Sequence, residues 1–199
     1  LADPTPAPIF TGGGGGGGGA APTAVTAGFA AVAAIVAAPL TAEDVQGLEA
    51  AEAADALKDT PVEEVVSLLN EITVAKAAEI LELFTDDKAA AVIGSFETAK
   101  SGSIIETLST TKAAAVIGKL EEEKAVAIIE IIKTATAVAI IEELTVERAI
   151  AIVDGVTESK AVDIIELLTA ERATEIVTAF ITSNIDKAAT ILEKIKTSK

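Results

Sequence analysis

Thr145-Val146-Glu147-Arg148-Ala149-Ile150-Ala151-Ile152-Val153-Asp154-Gly155-Val156 is followed at once by Thr157-Glu158-Ser159-Lys160-Ala161-Val162-Asp163-Ile164-Ile165-Glu166-Leu167-Leu168, and these two twelve-residue segments share one pattern. The pattern runs without insertion through ten segments, residues 61–180. With the threonine as slot one, slot eight reads Leu68, Ile80, Val92, Ile104, Val116, Ile128, Ile140, Ile152, Ile164 and Ile176. Slot nine is equally apolar, from Leu69 and Leu81 to Ile165 and Val177, and slot twelve runs from Ile72, Phe84 and Phe96 to Leu168 and Phe180. Slot five stays small, with Ala in eight segments, Ser101 in one and Val65 in the first. An eleventh unit, residues 184–195, follows a three-residue insertion and reads as a closing cap.

The period dictates what the backbone must do. A continuous helix turns about 100° per residue, so twelve residues leave roughly 120° after three full turns. One long helix would therefore spread these apolar slots around its circumference, and a coiled coil needs a repeat near seven or eleven residues. The helix has to break once per unit. Slot one supplies the break, because Thr and Ser are good N-caps, and Asp87, Glu147 and Glu171 in slot three put negative charge where the helix dipole favours it. Slot twelve and the next slot five, as with Leu144 and Ala149, occupy the two positions of a hydrophobic staple. Each unit is thus expected to be a helix of about eight to ten residues and a tight bend. Slots five, eight, nine and twelve then share one face, and stacked units bury those faces in a continuous core. The fold class is all-α, a right-handed solenoid of short helices.

Slot four is basic in eight of the ten units: Lys76, Lys88, Lys100, Lys112, Lys124, Arg148, Lys160 and Arg172. A cation in the first helical turn opposes its own helix dipole. It becomes favourable if it reaches the carbonyl end of the preceding helix, or an acid in slot ten such as Glu82, Glu106, Glu130, Glu142 or Glu166. The bland alternative is a row of solvated charges that contribute little. A nucleic-acid surface is not expected: carboxylates outnumber the ladder, no aromatics interleave it, and a net charge of −16 repels phosphate.

Composition removes most chemistry. With no His and no Cys, the chain lacks the commonest metal ligands, the usual general base and the thiol nucleophile. The paired carboxylates Asp86 with Asp87, and Glu121 with Glu122 and Glu123, sit at bends beside N-caps, where the dipole explains them. No loop carries the ligand spacing of a calcium site. We expect no enzyme, no cofactor and no metal.

The unit Thr169-Ala170-Glu171-Arg172-Ala173-Thr174-Glu175-Ile176-Val177, and residues 73–81 in the same way, resemble repeats of the N-terminal intracellular domain of MgtE-type magnesium transporters. The similarity spans about residues 61–195. It implies a curved stack of short helices; magnesium sensing is not carried over with it.

The first sixty residues differ in kind. All fifteen basic residues lie at Lys58 or later. Residues 1–19 form a Pro/Gly-rich extended arm, in which Asp3-Pro4-Thr5-Pro6-Ala7-Pro8 precedes eight glycines, Gly12 to Gly19. Residues 20–40 form an uncharged Ala-rich helix, residues 41–60 an acidic connecting helix, and residues 61–199 the solenoid with its cap. The sixteen residues between Pro22 and Pro39 make about 24 Å of helix against a hydrocarbon core of about 30 Å, so membrane contact is possible but not favoured. Small residues four apart, such as Ala24 with Gly28, would let another helix approach closely.

The expectation is therefore a self-assembling structural subunit of an extracellular filament or surface lattice, secreted or held at the cell surface after a leader is removed, since the chain opens at Leu1. Its partners would be copies of itself. The contact residues would be Pro8, Ile9, Phe10, Gly12, Gly15, Gly19, Gly28, Phe29, Val32 and Ile35. The alternative is a helical-repeat module that holds a protein or peptide, with the N-terminus as tether.

Overall fold

In the computed structural model, residues 40–183 and 185–197 are described, and they are all-helical, with no strand among them. Thirteen helices follow one another: α1 (Ala42–Gly47), α2 (Ala50–Leu57), α3 (Val62–Glu71), α4 (Val74–Leu83), α5 (Asp86–Ser95), α6 (Thr98–Ile105), α7 (Thr110–Lys119), α8 (Glu122–Ile131), α9 (Thr134–Glu143), α10 (Val146–Gly155), α11 (Glu158–Leu167), α12 (Ala170–Ser183) and α13 (Ile185–Thr197).

From α3 to α11 each helix starts at slot two, and the break falls at slots twelve and one except after α6, which already ends at slot nine, Ile105. The slot-one hydroxyl accepts the backbone N–H of slot four, as Thr145 does from Arg148 at 3.3 Å and Thr157 from Lys160 at 3.3 Å. Slot twelve is extended, with Leu144 at φ −73° and ψ 160°. From Leu108 to Leu168 its N–H donates to the slot-eight carbonyl, Leu144 to Ile140 at 3.2 Å, and at Phe84 and Phe96 to the slot-nine carbonyl, so the bend leaves that donor satisfied. Glu97, Glu121 and Lys133 stand at slot one with no side-chain cap. Residues 41–60, read as one connecting helix, contain two, α1 and α2, the first opened by a capping box between Thr41 and Asp44.

The packing has a longer period than the sequence. Each helix stacks on the helix two places along, from α1 on α3 to α11 on α13. Successive helices therefore alternate between two rows, and one superhelical step takes two units, or 24 residues. Contact along a row is close: a Cβ placed on Gly155 of α10 would lie 2.4 Å from Val126 Cγ2 of α8, and one on Gly102 of α6 would lie 2.9 Å from Ile131 Cδ1 of α8. Only glycine fits there without a neighbour moving.

Slot eight from Ile80 to Ile176, and slot nine from Leu69 to Val153, are 0% exposed, and each such side chain contributes about 1.5 to 3 kcal/mol relative to leaving it in water. Slot six is buried as well at Ala78, Ala90, Ala114 and Val162, so the apolar face is wider than four slots. A helix with row neighbours before and after it has two sides to cover. At the C-terminal end, α12 runs through slot twelve without a break, keeping Phe180 inside the helix at 1% exposure. The inserted residues 181–183 lengthen that helix, and α13 folds back on α12 and α11.

Candidate binding surface

The slot-four cations are structural, and none is exposed. Their acceptors are not on the preceding helix. Lys112 Nζ reaches the carbonyl of Phe84, Lys124 that of Phe96, Arg148 that of Leu120, Lys160 that of Ile132 and Arg172 that of Leu144, each 28 residues back. That carbonyl closes the turn before the helix on which the cation's own helix stacks. Second bonds reach the slot-nine carbonyl 31 residues back, as from Lys100 to Leu69 at 2.6 Å and from Arg172 to Ile141 at 3.0 Å. Lys88 takes three acceptors, the carbonyls of Leu57, Lys58 and Thr60, at 2.6, 2.6 and 2.9 Å. Burial holds the Lys88 and Lys100 ammonium groups below the ordinary lysine range. Lys88 also lies 5.1 Å above the Phe84 ring, and Lys100 5.4 Å above Phe96.

The slot-ten acids Glu82, Glu106, Glu130 and Glu142 take backbone partners. They accept the slot-one N–H 27 residues on: Ser109 to Glu82 at 3.1 Å, Lys133 to Glu106 at 2.7 Å, Thr157 to Glu130 at 2.9 Å and Thr169 to Glu142 at 2.6 Å. The N–H of Lys133 holds the Glu106 carboxyl below its usual range. Gly94 occupies slot ten with no carboxylate, and a 360 Å³ groove opens beside it against Lys119, Glu121 and Lys124. Asp86 and Asp87 at the bend are taken by Lys112 and Lys119, both at 2.8 Å, and Lys112 holds the Asp86 carboxyl low. Among the described residues no three His, Cys, Asp or Glu side chains gather as metal ligands.

A different surface remains for binding. Leu192 of α13 stands at slot nine of the closing unit, yet it is 45% exposed, whereas slot nine is fully buried in the middle of the array. Val177, slot nine of α12, is half-buried. Among the described residues no helix two places further on covers either one. With Leu167, 61% exposed, they line a 640 Å³ groove of α11, α12 and α13, whose other walls include Ile165, Leu168, Ala170 and Ala173. Among the described residues, Glu166 is the one charged residue in its lining. Ile181 and Ile185, exposed by 50% and 65%, lie at the junction of α12 and α13. The sequence reading missed this groove. An apolar slot eleven at Leu167 gave no distinct signal, because Leu83 and Ile131 occupy the same slot and are exposed to a similar degree.

The expected contact residues Pro8, Ile9, Phe10, Gly12, Gly15, Gly19, Gly28, Phe29, Val32 and Ile35 lie outside the described residues. Among the described residues no helix is long and apolar enough to cross a membrane. The family profile described as the MgtE intracellular N domain matches residues 48–136 and again residues 99–198. The overlap of the two matches is what a repeat array permits, since a shift by whole units restores the pattern. No curated protein and no solved structure matches the chain.

Proposed function

Because the chain belongs to the family of the MgtE intracellular N domain, we propose that it is a non-catalytic helical-repeat module that binds a protein or peptide segment. Of the two expectations drawn from the sequence, the family match favours this one over an extracellular filament or lattice subunit. The observation that carries it is the groove of α11 to α13, where Leu167, Val177 and Leu192 lie beside one another with a single carboxylate among the described lining residues. Elsewhere charged and polar repeat positions serve the fold, slot four on carbonyls and slot ten on N–H groups. An uncovered apolar groove on an otherwise acidic surface marks an interaction site for an apolar segment. A random peptide library panned against the full chain tests this. It should enrich uncharged, aliphatic sequences whose binding falls at least tenfold with Leu167→Asp. Binders indifferent to that substitution, or no enrichment at all, would overturn the proposal.

A further inference from the structure

We infer that the groove receives the uncharged segment, residues 20–40, of a second copy of this chain; this rests on reading the groove as a binding surface. Chemistry makes the match. The segment carries no charge, while the chain as a whole is at −16, so it is the stretch of this protein that approaches the Glu166 side of the groove without repulsion. Written as a helix, it places Phe29, Val32 and Val36 on one face at i, i+3 and i+7, the pattern by which a helix lies in an apolar groove.

Geometry selects a second copy over the same one. The segment ends at Leu40, beside α1, whereas the groove belongs to α11, α12 and α13. Each helix stacks on the one two places along, so α1 and α11 are five row steps apart, about 40 to 50 Å at ordinary helix spacings. The sixteen residues between the flanking prolines make about 24 Å of helix. Drawn as a helix, the segment would be shorter than that separation, and the acceptor proposed is therefore the groove of a neighbouring copy. Donor and acceptor are then different surfaces at different ends of the chain, which gives a head-to-tail association.

The test uses full-length chains in sedimentation velocity. Wild type at about 100 μM, a concentration that populates complexes of micromolar affinity, should form a concentration-dependent series. Leu167→Asp, which alters an exposed side chain, and Val32→Asp should each sediment as monomers, with circular dichroism and melting temperatures like wild type. Mixed, they should form a one-to-one dimer and nothing larger, because one retains only the donor and the other only the acceptor. Three results would overturn the inference: a monomeric wild type, either variant associating as wild type does, or a mixture that stays monomeric while wild type associates. A monomeric wild type whose groove still captures library peptides removes the second copy as partner and leaves the module reading intact.

Discussion

Ile141 and Leu192 both occupy slot nine of a repeat unit, yet the first is 0% exposed and the second 45%. The side chains are near-equal in size and apolarity. What differs is the helix two places further on: α9, which carries Ile141, has α11 there, and α13 has none among the described residues. In a stack of this kind burial belongs to the neighbour as much as to the residue. The same residue choice that closes the core in the middle of the array leaves an uncovered apolar surface on the last of the described helices. Slot eight behaves otherwise, since Ile191 of α13 remains 1% exposed.

The sharpest way to break the comparison is to truncate both members. Ile141→Ala should cost about 2 to 5 kcal/mol, from lost transfer energy and a cavity the stacked helices cannot close. Leu192→Ala should cost less than about 1 kcal/mol. Urea unfolding of the full chain reads both, and equal costs would mean that the two sites are covered alike.

Buried against exposed cations make the next contrast. Arg172→Met removes the donor to the carbonyls of Ile141 and Leu144 and should cost about 1 to 3 kcal/mol for the unpaired acceptors. Lys133→Met removes a side chain 77% exposed and should cost no more than about 0.5 kcal/mol in the same assay. A smaller effect separates capped from uncapped turns. Thr145→Ala and Thr157→Ala should each cost about 1 kcal/mol, whereas Glu121→Ala, at a slot one with no cap bond, should leave the thermal midpoint near its wild-type value.

The smallest expected effect is the dependence on pH of one staple. The folded-state pKa of Glu106 lies below its ordinary value of 4.5, chiefly because Lys133 donates its N–H to it. A carboxyl shifted this way stabilises the fold above its unfolded pKa and stops doing so as pH falls through its folded pKa. Glu106→Gln should therefore lower the melting temperature at pH 7, and the gap to wild type should close below pH 4.5. A gap that persists at pH 3 would assign the loss to packing instead of charge.

The unit, its break and four of its buried slots could all be read from the residues, because capping and amphipathicity act within twelve positions. The two-row stacking could not. A pattern that repeats every twelve residues is unchanged by a shift of twelve or of twenty-four, so nothing in it distinguishes contact with the next unit from contact with the one after. For the same reason Lys112 was expected to reach an adjacent helix end, and it reaches Phe84. Slot six was not part of the expected face, yet Ala78 and Ala90 are buried there, and small side chains are what the second side of a doubly covered helix requires. The groove escaped notice because Leu192 fits the slot-nine pattern, and a pattern does not say which helix has a neighbour two places on.

Stacking of each helix on the one two places along can be tested directly because the chain has no cysteine. A Cβ on Gly155 of α10 would lie 3.3 Å from Val126 Cβ of α8, near the roughly 3.5 to 4.5 Å that a disulfide spans, and cysteine lacks the valine methyl that crowds the site. The full chain carrying Val126→Cys and Gly155→Cys together should, under mild oxidation, lose both free thiols and gain an intramolecular bond while remaining a helical protein. Two thiols that stay free in the folded, oxidised chain, or that link only between chains, would contradict the two-row stack.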